Sequence, residues 1–138
     1  MALTLSRPDG DLRPALSALW TTVLINALLR DAHEILRPGF LHEVMGGTLN
    51  GTVLSDGLFV GAALILQIPV MLVALTHILP LRGALWINLV AAPLVGLTIV
   101  AGDRVDTDDW IFAGFQLAAL AGILAIAAPS IRRAAPIR

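Results

Sequence analysis

Apolar residues fall in four long blocks, and polar residues are confined to the gaps between them and to isolated points inside. The first block starts after Pro14 and is free of charge over 15–29. That is short for a hydrocarbon core of about 30 Å at a rise of about 1.5 Å per residue. The helix is therefore expected to continue through Arg30 to Leu36, because Pro38-Gly39 is the first strong stop. The second block, 58–79, is interrupted by Gln67 and Pro69. The third, 84–101, carries Asn88 and Pro93, and the fourth, 110–128, carries Gln116 and is expected to stop at Pro129. Only Pro80-Leu81-Arg82-Gly83 separates the second and third, which makes them antiparallel neighbours.

The gaps have patterns of their own. After Pro38-Gly39, the residues Phe40, Leu41, Val44 and Met45 share one helical face, and His42 and Glu43 share another. This predicts a short amphipathic helix lying in a membrane interface and ended by Gly46-Gly47. The acidic run 103–109 lacks the spacing of an EF-hand loop. Its end suits a helix start instead. Asp106 or Thr107 is expected to cap the fourth span, with Asp108 and Asp109 in the first turn favoured by the helix dipole.

Helices in lipid approach closely through small residues. Four stripes at four-residue spacing predict the packed faces: Ala18, Thr22, Asn26 and Arg30; Gly57 and Gly61; Ala84, Asn88, Ala92 and Gly96; Gly114, Ala118 and Gly122. The expected fold is all-α, an integral membrane four-helix bundle with spans near 15–36, 58–79, 84–101 and 110–128. Residues 1–14 form one tail and the basic 129–138 another.

Composition agrees with this class. The chain is 57% hydrophobic and 14% charged, against about a quarter charged in a soluble domain. Mean hydropathy is +0.85. There is no Cys, Lys or Tyr, which excludes disulfides, thiolate nucleophiles and lysine Schiff bases. The placement of arginine predicts orientation. Arg7, Arg13, Arg82, Arg132, Arg133 and Arg138 lie on one side, and Arg30, Arg37 and Arg104 on the other. Six against three puts both termini in the cytoplasm. The basic tail suits an anionic lipid surface and matches no nucleic-acid motif.

The candidate chemistry is concentrated near the outer end of the first span. Asn26, Arg30, His33 and Arg37 share one side of the helix. Glu34 follows Arg30 by four residues, within reach of an ion pair. Two readings stand side by side. In one, Arg30, Asp31 and Glu34 form an interfacial ion network that ends the helix. In the other, they line a pocket that opens outward, where Arg30 holds an anion and His33 moves protons with Asp31 or Glu34. Gln67, Asn88 and Gln116 supply one amide to each later span. They are expected to join helices or to line a shared cavity. Asp31, His33, Glu34, His42 and Glu43 are suitable metal ligands by type. Their spacing matches no zinc pattern, so no metal and no cofactor is expected.

The motif Asn26, Arg30-Asp31-Ala32-His33-Glu34, Pro38-Gly39-Phe40, with Trp86-Ile87-Asn88 after a short arginine-containing turn, resembles a small bacterial family of membrane proteins of unknown function. The resemblance covers roughly 15–128 and implies a fold and an important cluster, but no reaction. The expectation is therefore a multi-pass protein of the bacterial cytoplasmic membrane. Its pocket would bind a small molecule or lipid through Asn26, Arg30, His33, Glu34, Gln67, Asn88 and Gln116. It would act alone, as a homo-oligomer or as an accessory subunit. The alternatives are a small membrane enzyme with His33 and Asp31 or Glu34 as acid–base groups, or an oligomeric proton-coupled transporter.

Overall fold

The computed structural model describes residues 11–102 and 107–133. They form α1 (Arg13–Ile35), α2 (Phe40–Met45), the two-residue strands β1 (Thr48–Leu49) and β2 (Thr52–Val53), α3 (Asp56–Ile78), α4 (Leu81–Ala101) and α5 (Thr107–Arg133). α1 packs on α3 and α5, and α4 packs on α5 and α3. The four long helices thus close a ring in the order α1, α3, α4, α5, each antiparallel to its neighbours. One end, the turn end, holds the α3–α4 turn and the start of α1. The other, the cap end, carries α2 and the hairpin.

The helices outrun the apolar blocks in ways the local chemistry explains. Pro14 sits in the first turn of α1, where its missing N–H costs nothing. Ser55 caps α3, its hydroxyl accepting from Leu58 N. α5 does not stop at Pro129 but runs on to Arg133. Proline removes the backbone bond to Ala125 O there, and beside it Ser130 Oγ donates to Ile126 O at 2.7 Å. The expected cap at Asp106 and the two tails, 1–10 and 134–138, lie outside the described residues.

The core is a cluster of Leu16, Trp20, Val23, Leu72, Leu85, Ala92, Val95, Leu120 and Ile123, drawn from all four long helices. Its faces differ from those predicted by three of the small-residue stripes. In α4 the stripe holds, with Ala84, Asn88 and Ala92 buried. In α1 the buried face is Leu16, Ser17, Trp20 and Val23, while Ala18 and Thr22 are exposed. In α5 it is Asp109, Ala113, Gln116, Leu120 and Ile123, while Gly114 and Ala118 are exposed. Gly57 is exposed as well. Glycine and alanine occur all around these helices, so their spacing marks several faces at once. The face that wins is the one whose larger side chains interlock.

Polar contacts fix the turn end. Arg13 Nη2 donates to Leu79 O, at the C-terminus of α3, at 3.2 Å. Deeper in, Asn88 is fully buried and ties three helices. It accepts from Trp20 Nε1 of α1 and donates to Thr76 Oγ1 of α3 at 3.1 Å, as well as to Ala84 O at 2.7 Å.

The cap end is organised by Arg37. Its Nε lies 2.9 Å from Glu34 Oε1, its Nη2 donates to Asn50 Oδ1 at 3.2 Å, and its guanidinium stands 6.0 Å from the Phe40 ring centre. Glu43 Oε2 accepts from Asn50 N at 3.1 Å. The end of α1, α2 and the hairpin are thereby one unit. Gly39 enters α2 with φ +88°, a conformation other residues rarely take. The short helix at 40–45 is present as the amphipathic pattern predicts, with Leu41 and Met45 exposed. The hairpin is an addition. Its turn is Asn50-Gly51, with φ of 49° and 78°, the dipeptide that favours a type I′ turn.

Candidate functional site

The charged stretch of α1 is held by the first turn of α5. Arg30 Nε donates to Asp109 Oδ1 at 2.7 Å. One turn on, His33 Nε2 lies 2.9 Å from Asp108 Oδ2, and the His33 ring stands 6.1 Å from that of Phe112. The carboxylates sit at the positive end of α5 and Arg30 near the negative end of α1, so the Arg30–Asp109 pair also follows the helix dipoles. Asp109 is 4% exposed, whereas Arg30 is two-fifths exposed at its side chain. Asp109 is the missing partner that the sequence reading assigned to helix capping alone.

Beneath this pair lies a cavity walled by all four long helices. Its main lobe measures about 350 Å³, within the range of small-molecule sites, roughly 300–1,000 Å³. α1 contributes Val23, Ala27, Arg30 and Asp31; α4 contributes Val95, Thr98 and Ile99; α5 contributes Gln116. The remaining wall is α3, through Ala62, Ile65, Leu66 and Pro69. A side lobe of about 40 Å³ runs under the ion pair to Gly102 and Ala113, sharing Arg30, Thr98, Ile99 and Gln116 with the main lobe. It is large enough for water. The cavity lies along the stretch of α3 from Ala62 to Pro69, the first residue that this helix buries. Its buried residues are Pro69, Leu72 and Thr76, all toward the turn end, and its first half packs little.

The polar groups of the cavity differ in what already occupies them. Arg30 is engaged by Asp109. Thr98 Oγ1 donates to Val95 O at 2.8 Å, which leaves only its lone pairs to offer. Gln116 is 5% exposed, and its amide has no protein partner among the described residues. That amide is not sealed off, and the little surface it keeps lies on the cavity, where it can meet a ligand or water. The Asp31 carboxylate accepts no hydrogen bond among the described residues, although the neighbouring Arg30 guanidinium acts on it electrostatically.

The seven expected binding residues therefore divide. Arg30 and Gln116 reach the cavity, together with Asp31. His33 faces Asp108, away from Asp31, and Glu34 pairs with Arg37 rather than Arg30. Asn26 donates back to Thr22 O at 3.0 Å, one turn earlier in its own helix. Asn88 joins helices in the core. Gln67 is exposed in a groove between α3 and α4, against Leu64, Met71 and Ile87. The acid–base pairing of His33 with Asp31 or Glu34 is not assembled, because each of the latter lies toward a different neighbour. Thr98 was not anticipated. Its signal is its depth: it falls one turn before the end of α4, level with the Arg30 turn of α1. Among the described residues, no group of three or more His, Cys, Asp or Glu is placed to hold a metal ion.

Three of the helices, α3, α4 and α5, are long and apolar enough to cross a bilayer. Their outward side chains, among them Phe59, Leu64, Leu97, Ile111 and Phe115, are large, apolar and exposed, which suits lipid and not water. This is a helical membrane protein with a partly polar cavity among its helices. The chain belongs to the Family of unknown function (DUF6326), whose profile matches residues 5–128. No curated protein and no solved structure matches it.

Proposed function

We propose that the protein is a four-span bundle of the bacterial cytoplasmic membrane, with both termini in the cytoplasm, that holds a small amphipathic molecule in the cavity. α1 serves as the fourth span. It is as long as α3, and its charged third is accommodated by Asp108 and Asp109 of α5. The cap end then faces outward. Trp110 near that end and Trp86 near the other are both exposed, where aromatic side chains favour the two membrane interfaces.

The observation that carries the reading is the Gln116 amide, which makes no hydrogen bond to protein among the described residues and keeps its accessible surface on a cavity that is mostly apolar, with Arg30, Asp31 and Thr98 as the other polar lining. Such a site offers a few polar anchors and a larger apolar surface, the usual make-up of a small-molecule pocket. The test uses protein in phosphatidylcholine nanodiscs with phenylbutanol as probe and empty discs subtracted. Saturable binding is expected in the natural chain and is lost in Ala62→Trp, whose indole fills the cavity. Absence of saturable binding, or equal binding by both proteins, overturns the reading.

Orientation has a separate check, since the chain lacks cysteine and any introduced thiol reports alone. Met45→Cys, on the exposed face of α2, is expected to react with a membrane-impermeant maleimide on intact cells. Ala135→Cys is expected to be protected until the membrane is opened. The reverse pattern would invert the topology.

A further inference from the structure

The free valences of the cavity define what it can hold. Arg30, the one cation lining it among the described residues, lies against Asp109. Among the described residues that line the two lobes, two carboxylates, Asp31 and Asp109, stand beside this single guanidinium. The oxygens that remain available are acceptors. The Asp31 carboxylate accepts only. Thr98 has its proton on Val95 O and presents lone pairs. Gln116 presents an amide that can turn its carbonyl inward. An anionic head would meet Asp31 and an arginine already engaged. A head made only of donors would meet three acceptors.

We propose that the ligand is an amphipathic organic cation, an alkyl- or arylalkylammonium whose head sits between Asp31, Thr98 and Gln116 and whose apolar body lies along Ala62, Ile65, Leu66 and Pro69 of α3. An ammonium carries three donors and no acceptor, which matches this set. The α3 wall spans eight residues from Ala62 to Pro69, about 10 Å of helix, enough for a short arylalkyl chain. Ala62 and Ile65 are exposed on their own helix. The apolar body can therefore enter from the bilayer, with the head following from the outer interface. The inference rests on the cavity reading above and adds the sign of the ligand's charge.

The experiment compares three probes of one shape: phenylbutylamine, phenylbutanol and phenylbutyrate. Binding is measured at neutral pH in phosphatidylcholine nanodiscs, with empty discs subtracted. The amine is expected to bind the natural chain about tenfold tighter than the alcohol, as a charge-assisted hydrogen bond implies, and the carboxylate more weakly than either. In Asp31→Asn the amine is expected to fall to the affinity of the alcohol. The alcohol is expected to lose less than the amine in Asp31→Asn, since the asparagine carbonyl still accepts from a hydroxyl, and its retained binding shows that the cavity is intact. Equal binding of all three probes, or the carboxylate binding tightest, overturns the cation assignment and leaves the cavity reading standing. Loss of both alcohol and amine in Asp31→Asn also overturns it, since Asp31 would then hold the cavity's shape. Failure of all three to bind the natural chain sinks both.

Discussion

Arg30→Met is expected to destabilise the protein by about 3 kcal/mol, and Asp109→Leu placed in the same chain is expected to restore most of that loss. The reasoning starts from burial. Asp109 is 4% exposed, and the substitution removes a guanidinium 2.7 Å from its carboxylate. Breaking one side of a buried ion pair typically costs about 3–5 kcal/mol, because a charge stays where water does not reach. Arg30 is two-fifths exposed, which places the expectation at the lower end of that range. Replacing both partners removes the charge together with its partner, and such exchanges for apolar residues are often near neutral. The asymmetry is what makes the test sharp. Reversible unfolding in mixed micelles, with the single and double variants side by side, reads it directly. A double variant no more stable than Arg30→Met would mean that the pair does not join α1 to α5. The same pair bears on the cavity, because its loss leaves the cap end of α1 held to α5 by the His33 contacts with Asp108 and Phe112 and so loosens it. Phenylbutanol binding is expected to weaken in Arg30→Met and to return with stability in the double variant.

How much of this was legible in the sequence depends on which physical signal each feature leaves. Long helices leave the strongest one, since apolar blocks between Pro- and Gly-containing stops fix the number of helices and place their ends within a few residues. The short helix at 40–45 was equally plain from its two-faced pattern. The packed faces were not. In a soluble helix, water sorts polar from apolar sides and so marks the inward face. In α3, α4 and α5 both the lipid side and the protein side are apolar, so that sorting is absent. Small-residue spacing then pointed to Ala18 and Gly114, whereas Trp20 and Gln116 turned out to face inward. The site follows the same logic. Arg30 announced itself as a charge inside a span, but the sequence could not say which carboxylate would answer it. Glu34 lay four residues away in the same helix; Asp109 lay seventy-nine residues away and won. Glu34 was taken by Arg37, which faces the loop. The Asn50-Gly51 turn did leave a local signal, in a stretch too short for alternation to reinforce it.

Asn88→Ala is expected to cost about 2–3 kcal/mol, while Gln67→Ala stays within about 0.5 kcal/mol of the natural chain. Both are amides in the middle reaches of apolar helices, and composition does not separate them. Their surroundings do. Asn88 is 0% exposed and all of its hydrogen-bonding capacity on one plane is used: Trp20 Nε1 donates to its carbonyl, and its amino group donates to Thr76 Oγ1 and Ala84 O. Alanine at this position strands the indole N–H and removes a partner of the Thr76 hydroxyl, each buried where no water can substitute. A single interhelical hydrogen bond in a membrane protein contributes on average about 0.6 kcal/mol and at most about 1.7. Two such bonds and the space left by the amide add to the figure stated. Gln67 is exposed and makes no side-chain hydrogen bond among the described residues, so truncation removes little. A double-mutant cycle assigns the loss to the network. Trp20→Phe deletes the indole donor; combined with Asn88→Ala, it is expected to cost about 1 kcal/mol less than the two single variants added together. Additivity would show that Asn88 acts through its volume alone and that α1 is not tied to α4 by this bond. A positive coupling would instead make Asn88 the anchor of the turn end. α3 would then be fixed there through Thr76, at the end where its buried residues lie, while its other half supplies the apolar wall of the cavity.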